Sequence, residues 1–194
     1  MTDATPAPPA LLRARLARGT VGVVAWGFFL GNIAAICWLW YANHNLDFSF
    51  APDMTSAIMA RFGGLTGLLA AYLALIQVLL LARLPWLERL AGFDRMTVWH
   101  RWNGYACLVL VLAHTVMAVL GYSIDAKRSF FRQFWDMIDH RLFPGMVTAT
   151  IGLALFVLVT VSSITIARRR LPYEAWYAVH LTAYAAIALT WFHE

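Results

Sequence analysis

The sequence predicts an all-α membrane protein: a bundle of five transmembrane helices with one amphipathic helix on its outer surface. Of 194 residues, 61% are hydrophobic and only 13% are charged, far fewer polar residues than a soluble domain of this size carries. The apolar residues are grouped into stretches that can each cross a hydrocarbon core, which takes about 20 helical residues. In chain order these stretches cover residues 20–41, 57–82, 98–121, 145–167 and 175–193.

The first span follows a lead of residues 1–19, which is rich in proline, alanine and threonine at its start. Such a composition predicts disorder, and the basic residues 9–18 could add a short interfacial helix. The first span has no small-residue cleavage site and is too long for a signal peptide, so we expect it to be retained. Residues 20–194 then form a single membrane domain.

The connections between spans also have recognisable patterns. Residues 43–55 form a polar outer loop, and residues 83–97 form a cytoplasmic loop in which Pro85 and Gly92 break helices. Residues 129–142 carry aromatic and aliphatic side chains at three- and four-residue spacings, which predicts an outer amphipathic helix. The fifth span begins after Pro172, a residue suited to the first helical position.

The 15 Lys and Arg residues outnumber the 10 Asp and Glu residues, and their distribution predicts an orientation. Ten arginines flank one set of span ends: Arg13, Arg15, Arg18, Arg83, Arg89, Arg95, Arg101, Arg168, Arg169 and Arg170. The other side has half as many basic residues, mixed with aspartates. The positive-inside rule therefore predicts a multi-pass protein of the cytoplasmic (plasma) membrane with a cytoplasmic N-terminus. This orientation accounts for the basic excess, so we expect membrane lipid as a partner and no nucleic acid.

The two cysteines, Cys37 and Cys107, fall in different predicted spans. Oxidising enzymes reach such positions poorly, so we expect no structural disulfide. Cys107 is interpreted as a small apolar filler.

Four histidines lie inside the predicted spans, where an ionisable side chain is costly and usually functional. His100 and His114 are 14 residues apart on the third span, about 21 Å along a helix, and His180 and His193 are 13 apart on the fifth, about 20 Å. Both spans run outward, so the four residues form two levels: His100 with His180 inside, and His114 with His193 outside. Each level can hold one haem iron between two imidazoles, with no open coordination position.

Helical rotation fits the first pair better than the second. A separation of 14 residues rotates a side chain about the helix axis to within roughly 40° of a whole number of turns, so His100 and His114 share a face. A separation of 13 residues leaves the rotation roughly 140° short of a whole number of turns. The fifth span therefore needs supercoiling, a π-bulge or laterally offset haems to use both histidines. His44 and His140 lie in predicted outer loops and receive no role.

The segments HRWNGYACLVLVLAH (100–114) and RRRLPYEAWYAVH (168–180), with the closing His193, resemble the ferric reductase transmembrane domain. This membrane core is shared by ferric-chelate reductases and NADPH oxidases, and the resemblance covers about residues 20–194. It implies that the four histidines ligate two b-type haems, which pass electrons from a cytoplasmic flavin to an extracytoplasmic acceptor.

The resemblance also implies roles for Arg61, Arg101 and Gly104. Arg61 corresponds to an arginine near the outer haem and its acceptor, and is the candidate catalytic residue; the alternative is snorkelling to lipid headgroups. Arg101, beside the inner ligand, either pairs with a haem propionate or only strengthens the positive-inside signal. Gly104 either lets a porphyrin approach the backbone or serves ordinary helix packing.

Two departures from the family shape the functional prediction. Ala118 stands where NADPH oxidases usually carry a further histidine, which favours a ferric chelate or similar oxidant as acceptor over reduction of oxygen to superoxide.

The sequence also has no sixth span, flavin domain or nicotinamide domain. We therefore expect a truncated reductase, or one that receives electrons from a separate cytoplasmic flavin protein, so that FAD and NAD(P)H act only through that missing domain or partner. The alternative class is a non-enzymatic haem-binding membrane protein for carriage, sensing or assembly.

Overall fold

The computed structural model describes residues 9–49, 51, 53–139, 145–164 and 169–191, and within them the chain is all-helical. This confirms the predicted fold class, a helical membrane bundle. The helices are α1 (Pro9–Ala42), α2 (Met54–Leu81), α3 (Pro85–Ala91), α4 (Phe93–Asp125), α5 (Phe130–Asp139), α6 (Met146–Ser163) and α7 (Tyr173–Trp191).

Four of the described helices are long and apolar enough to cross a membrane: residues 22–42 of α1, and all of α2, α4 and α6. They correspond to the first four predicted spans. The fifth corresponds to α7, which has 19 residues but is not among those four. Its tyrosines, tryptophans and His180 lower its hydropathy, so its crossing of the membrane stays a prediction.

Two helix boundaries differ from the prediction. Helix α1 begins at Pro9, so residues 9–19 continue the first span without a break; residues 1–8, predicted to be disordered, lie outside the described residues. The loop predicted at 83–97 is wrong for most of its length, because it contains α3 and the start of α4. Pro85 occupies the first turn of α3, where its fixed φ is favourable. Gly92, at φ 77°, separates the two helices.

The bundle is built from two tightly packed helix pairs, α2 with α4 and α6 with α7. Glycines allow their backbones to come close, as is common between membrane helices. A Cβ atom added to Gly121 would lie 3.1 Å from the backbone nitrogen of Ala60 on α2, and one added to Gly152 would lie 2.9 Å from the carbonyl oxygen of Ala186 on α7. Contact between the two pairs is much sparser, and within the described residues α4 and α7 scarcely pack against each other. A gap therefore separates the two helices that carry the histidines.

Helix α5 confirms the predicted amphipathic helix, although it ends at Asp139 and residues 140–144 lie outside the described residues. One face buries Gln133 and Met137, whereas Phe131 and Trp135 are 82% and 65% exposed. Arg128, just before the helix, forms an ion pair with Asp136 within it. The helix follows α4 and precedes α6, so it covers the end of the bundle where those two helices meet.

The opposite end of the bundle, where α2 and α6 end and α4 and α7 begin, is called the basic end here. Arg89 lies on α3, Arg83 precedes it, and Arg95 and Arg101 lie on the first turns of α4. Arg169 and Arg170 precede α7, and the first part of α1 carries Arg13, Arg15 and Arg18. Four basic residues of the described chain lie toward the other end: Arg61, Lys127, Arg128 and Arg132. The charge asymmetry predicted from the sequence is thus preserved in three dimensions.

Candidate functional site

Two of the predicted histidines face each other across the gap between the helix pairs. The ring centroids of His100 on α4 and His180 on α7 are 6.1 Å apart, with an interplanar angle of 52°. Two imidazoles that bind one metal ion from opposite sides have centroids roughly 6 Å apart, because each metal–nitrogen bond is about 2 Å long. The His100 level therefore has the spacing of a bis-histidine site.

The ring nitrogens of the two histidines on α4 have defined hydrogen-bond roles. The Nδ1 atom of His100 lies 3.2 Å from the carbonyl oxygen of Gln77, and the Nδ1 atom of His114 lies 2.8 Å from that of Gly63. Because a carbonyl oxygen only accepts, Nδ1 is the protonated nitrogen in both rings. In the neutral form of His100, the Nε2 atom then carries the lone pair that a metal ion needs.

His180 reaches the same tautomer through a hydroxyl group. Its Nδ1 atom lies 3.2 Å from the Oγ atom of Ser163 on α6. The Ser163 hydroxyl donates to the carbonyl oxygen of Val159 at 2.7 Å, so Oγ accepts from Nδ1 of His180. Trp176 stacks on the other side of this ring, with centroids 4.9 Å apart and planes at 29°. His193, the fourth predicted ligand, lies outside the described residues.

A ladder of side chain-to-backbone contacts joins α4 to α2. His114 contacts the carbonyl of Gly63, the Sγ atom of Cys107 donates to the carbonyl of Ala70 at 3.4 Å, and His100 contacts the carbonyl of Gln77. Successive contacts are seven residues apart on both helices, the spacing at which antiparallel helices keep one face together. Helix α2 thus orients both histidines of α4. Cys107 is fully buried in this interface, and both cysteines are free, as predicted.

Two polar side chains that the sequence analysis did not single out surround His100. The Gln77 amide donates from Nε2 to the carbonyl oxygen of His100 at 2.9 Å. The Asn103 amide donates from Nδ2 to Oε1 of Gln77 at 2.7 Å and to the carbonyl oxygen of Leu73 at 2.8 Å. A Cβ atom on Gly104 would lie 2.9 Å from Nε2 of Gln77. This contact supports the packing interpretation of Gly104, and the porphyrin approach stays a prediction.

A largely apolar cavity occupies the gap at the level of His114. About 1080 Å³ of space free of protein atoms lies here, and this volume includes open space outside the bundle. His114, Cys107 and Ala118 of α4 line it, together with Leu153 of α6, Ile187 of α7 and Phe134 of α5. The cavity is thus a largely apolar slot, and among the described histidines it is lined by His114.

Arg61 lies away from this cavity and holds the α1–α2 loop. Its Nη1 atom donates to the carbonyl oxygens of Asn45 at 3.0 Å and Asp47 at 2.6 Å, and its guanidinium lies 4.6 Å from the centre of the Phe48 ring. Hydrogen bonds from the Ser49 hydroxyl and amide lower the pKa of Asp47 in the same loop. The predicted role of Arg61 near an acceptor stays a prediction. Arg101 is exposed beside His100, and its pairing with a propionate also remains a prediction.

The substitution Arg61→Gln is expected to loosen the α1–α2 loop. Glutamine is too short to reach the same carbonyl oxygens, so the charge-assisted hydrogen bonds and the contact with Phe48 are lost. We expect amide hydrogen exchange in residues 43–49 to speed up about tenfold. A hydrogen bond to a charged group contributes about 1.5 kcal/mol at the lower end of its range, and about 1.4 kcal/mol corresponds to a factor of ten. Arg89→Gln, on α3 at the basic end, is the matched control. Equal exchange in both variants would show that Arg61 does not anchor the loop.

Comparison with known proteins places these features in a family. Residues 66–191, more than half of the chain, match the family model described as ferric reductase-like transmembrane component. The match covers most of α2 and all of α4, α6 and α7, including His100, His114 and His180. No curated protein and no solved structure matches the chain. Within the described residues, no group of three or more His, Cys, Asp or Glu side chains could hold a metal ion.

Proposed function

The chain belongs to the ferric reductase-like transmembrane family, whose members are membrane oxidoreductase components, and on this basis we propose that it conducts electrons across the membrane through two b-type haems. The observation that carries the proposal is the pairing of His100 with His180. Their rings face each other at 6.1 Å, and hydrogen bonds at both Nδ1 atoms leave both Nε2 atoms available as ligands.

His100 and His180 are the proposed ligands of one haem, and His114 with His193 those of the other. The first two are placed at one level by α4 and α7, and His114 lies about 21 Å farther along α4. A haem bound in this way exchanges single electrons and has no free iron position for a substrate. Acceptors would therefore react at the edge of the site rather than at the metal.

The residues of the chain contribute ligand geometry and an apolar environment. The carbonyls of α2 and the hydroxyl of Ser163 hold the three described imidazoles in one tautomer and rotation. The α2–α4 and α6–α7 pairs are each tightly packed, and mostly apolar side chains line the cavity around His114. Such rigid support lowers the structural rearrangement that accompanies each change of charge.

The proposed direction of flow runs from the basic end to the end covered by α5. Positive-inside orientation would place the basic end in the cytoplasm, where a flavin- and nicotinamide-dependent reductase domain or protein would supply electrons. The acceptor at the other end is proposed to be a ferric chelate or a similar oxidant. Ala118 supports this choice, since it lines the cavity with a methyl group and offers no proton donor for oxygen reduction.

Haem content and vectorial electron transfer test the proposal together. The purified chain should contain about two low-spin b haems, seen in the dithionite-reduced spectrum and by haem extraction. In vesicles loaded with ferricyanide, external dithionite should reduce the internal ferricyanide only when the haem-loaded protein is present. No haem, or one high-spin haem, would contradict the proposal. Two haems without transfer across the vesicle would instead favour a carriage or sensing protein.

A further inference from the structure

Gln77, four residues before the end of α2, and Asn103, ten residues after the start of α4, are polar side chains within two apolar helices. Both are half-buried between α2 and α4, and unpaired amides are expensive to place in such an environment. Their hydrogen bonds to each other and to backbone carbonyls offset that cost. An apolar pair would pack two membrane helices equally well, so this arrangement calls for a functional reason.

Gln77 contacts His100 at two points. Its backbone carbonyl faces Nδ1 of His100 at 3.2 Å, and its side-chain Nε2 donates to the backbone carbonyl of His100 at 2.9 Å. The two contacts restrain both the ring and the peptide of His100. Asn103 fixes the orientation of the Gln77 amide. Its Nδ2 atom donates to Oε1 of Gln77 at 2.7 Å, so the Nε2 atom of Gln77 faces His100.

Of the three α2–α4 contacts in the ladder, only the one at His100 is accompanied by a hydrogen bond from an α2 side chain to the α4 backbone. The rungs at His114 and Cys107 pair with Gly63 and Ala70, whose side chains cannot donate. Gly104 supplies the room for the Gln77 amide, since a Cβ atom there would lie 2.9 Å from Nε2. The two contacts that Gln77 makes with the ring and the peptide of His100 are called the Gln77 clamp here. Gly63 provides no side-chain contact of this kind to His114.

We propose that Gln77, oriented by Asn103, is a positioning residue for His100 and sets the redox potential of the haem bound at that level. The proposal rests on the proposed function. A firmly held Nδ1–H···O hydrogen bond makes the imidazole a stronger electron donor, which favours the oxidised iron. Without the side-chain hydrogen bond to the His100 peptide, the contact between Nδ1 of His100 and the Gln77 backbone carbonyl is held less firmly. This loosening should favour the reduced form of this haem and leave the other haem unchanged.

The test compares variants of the haem-loaded protein by spectroelectrochemical titration. In Gln77→Met the side chain keeps its length and loses its hydrogen bonds, and in Gly104→Ala the new methyl group displaces the amide without altering either polar residue. At a fixed applied potential we expect the reduced-to-oxidised ratio of one haem to rise about three- to tenfold in both variants, the change that loss of one hydrogen bond corresponds to. Gly64→Ala is the matched control, because a Cβ atom there meets nothing within 4 Å.

The possible outcomes separate this inference from the proposed function. Selective loss of one haem from Gln77→Met would support the positioning role as well as a shifted ratio does. Unchanged ratios for both haems in Gln77→Met would overturn the inference and leave electron transfer intact. Loss of both haems from Gln77→Met and Gly104→Ala alike would also overturn it, since Gln77 would then be needed for folding in general. A wild-type chain without haem would contradict the proposed function itself.

Discussion

His100→Leu and His180→Leu are each expected to remove the same haem, lowering the content from about two per chain to about one. The two rings face each other at 6.1 Å, so either substitution leaves the other imidazole without an opposing ligand. Electron transfer into ferricyanide-loaded vesicles should fall by more than the roughly 10–100-fold that loss of an outer-shell partner causes. Haem extraction and the dithionite-reduced spectrum measure the first effect, and the vesicle assay measures the second.

The double variant His100→Leu/His180→Leu provides the sharpest control. Because both residues serve one site, the double variant should lose no more haem than either single variant. His114→Leu should remove the other haem, and His44→Leu, in the α1–α2 loop, should remove none. Additive loss in the double variant, or loss of the same haem from His100→Leu and His114→Leu, would refute the assignment of levels.

Gly67→Ala is expected to eliminate the haem at the His114 level. The added Cβ atom would lie 2.6 Å from Nδ1 and 2.9 Å from Cε1 of the His114 ring. The ring cannot move aside at low cost, because its Nδ1 atom is held by the carbonyl oxygen of Gly63 at 2.8 Å. Overpacking of this kind costs about 1–3 kcal/mol, and here it acts on the metal-binding side chain itself. Haem content and the thermal unfolding midpoint in detergent would be measured together.

Gly64→Ala controls for the extra methyl group on α2, since the space around that position is open. It should keep both haems and the wild-type unfolding midpoint. If Gly67→Ala kept both haems with unchanged spectra, His114 would not be restrained as the structure indicates. If it instead lost both, the substitution would be disrupting the α2–α4 pair as a whole.

The sequence predicted the elements that follow local rules. Hydropathy and length located the four helices that meet the criteria for crossing a membrane, and the three- and four-residue spacing of apolar side chains located α5. The rotation estimate placed His100 and His114 on one face of α4, and both contact α2. Helix α3 was missed because a seven-residue helix beside a proline has too little periodicity to be distinguished from a loop.

The described part of the fifth predicted span tests one of the three ways in which His180 and His193 could serve two levels. Helix α7 is a regular α-helix from Tyr173 to Trp191, so the described part of it contains no π-bulge. His193 lies beyond that range. Supercoiling and laterally offset haems therefore remain the predicted ways in which His180 and His193 could serve two levels.

By itself, the sequence determined the membrane class, the positions of most helices and the shared face of His100 and His114 on α4, because hydropathy and helical periodicity depend on neighbouring residues. Only the tertiary structure decided that Nδ1 is the nitrogen that makes the hydrogen bond in His100, His114 and His180, that Gln77 and Asn103 hold His100, and that Arg61 holds a loop. These contacts join residues 14 to 51 positions apart. They depend on the antiparallel register of α2 against α4 and on the gap between two helix pairs, which no local pattern specifies.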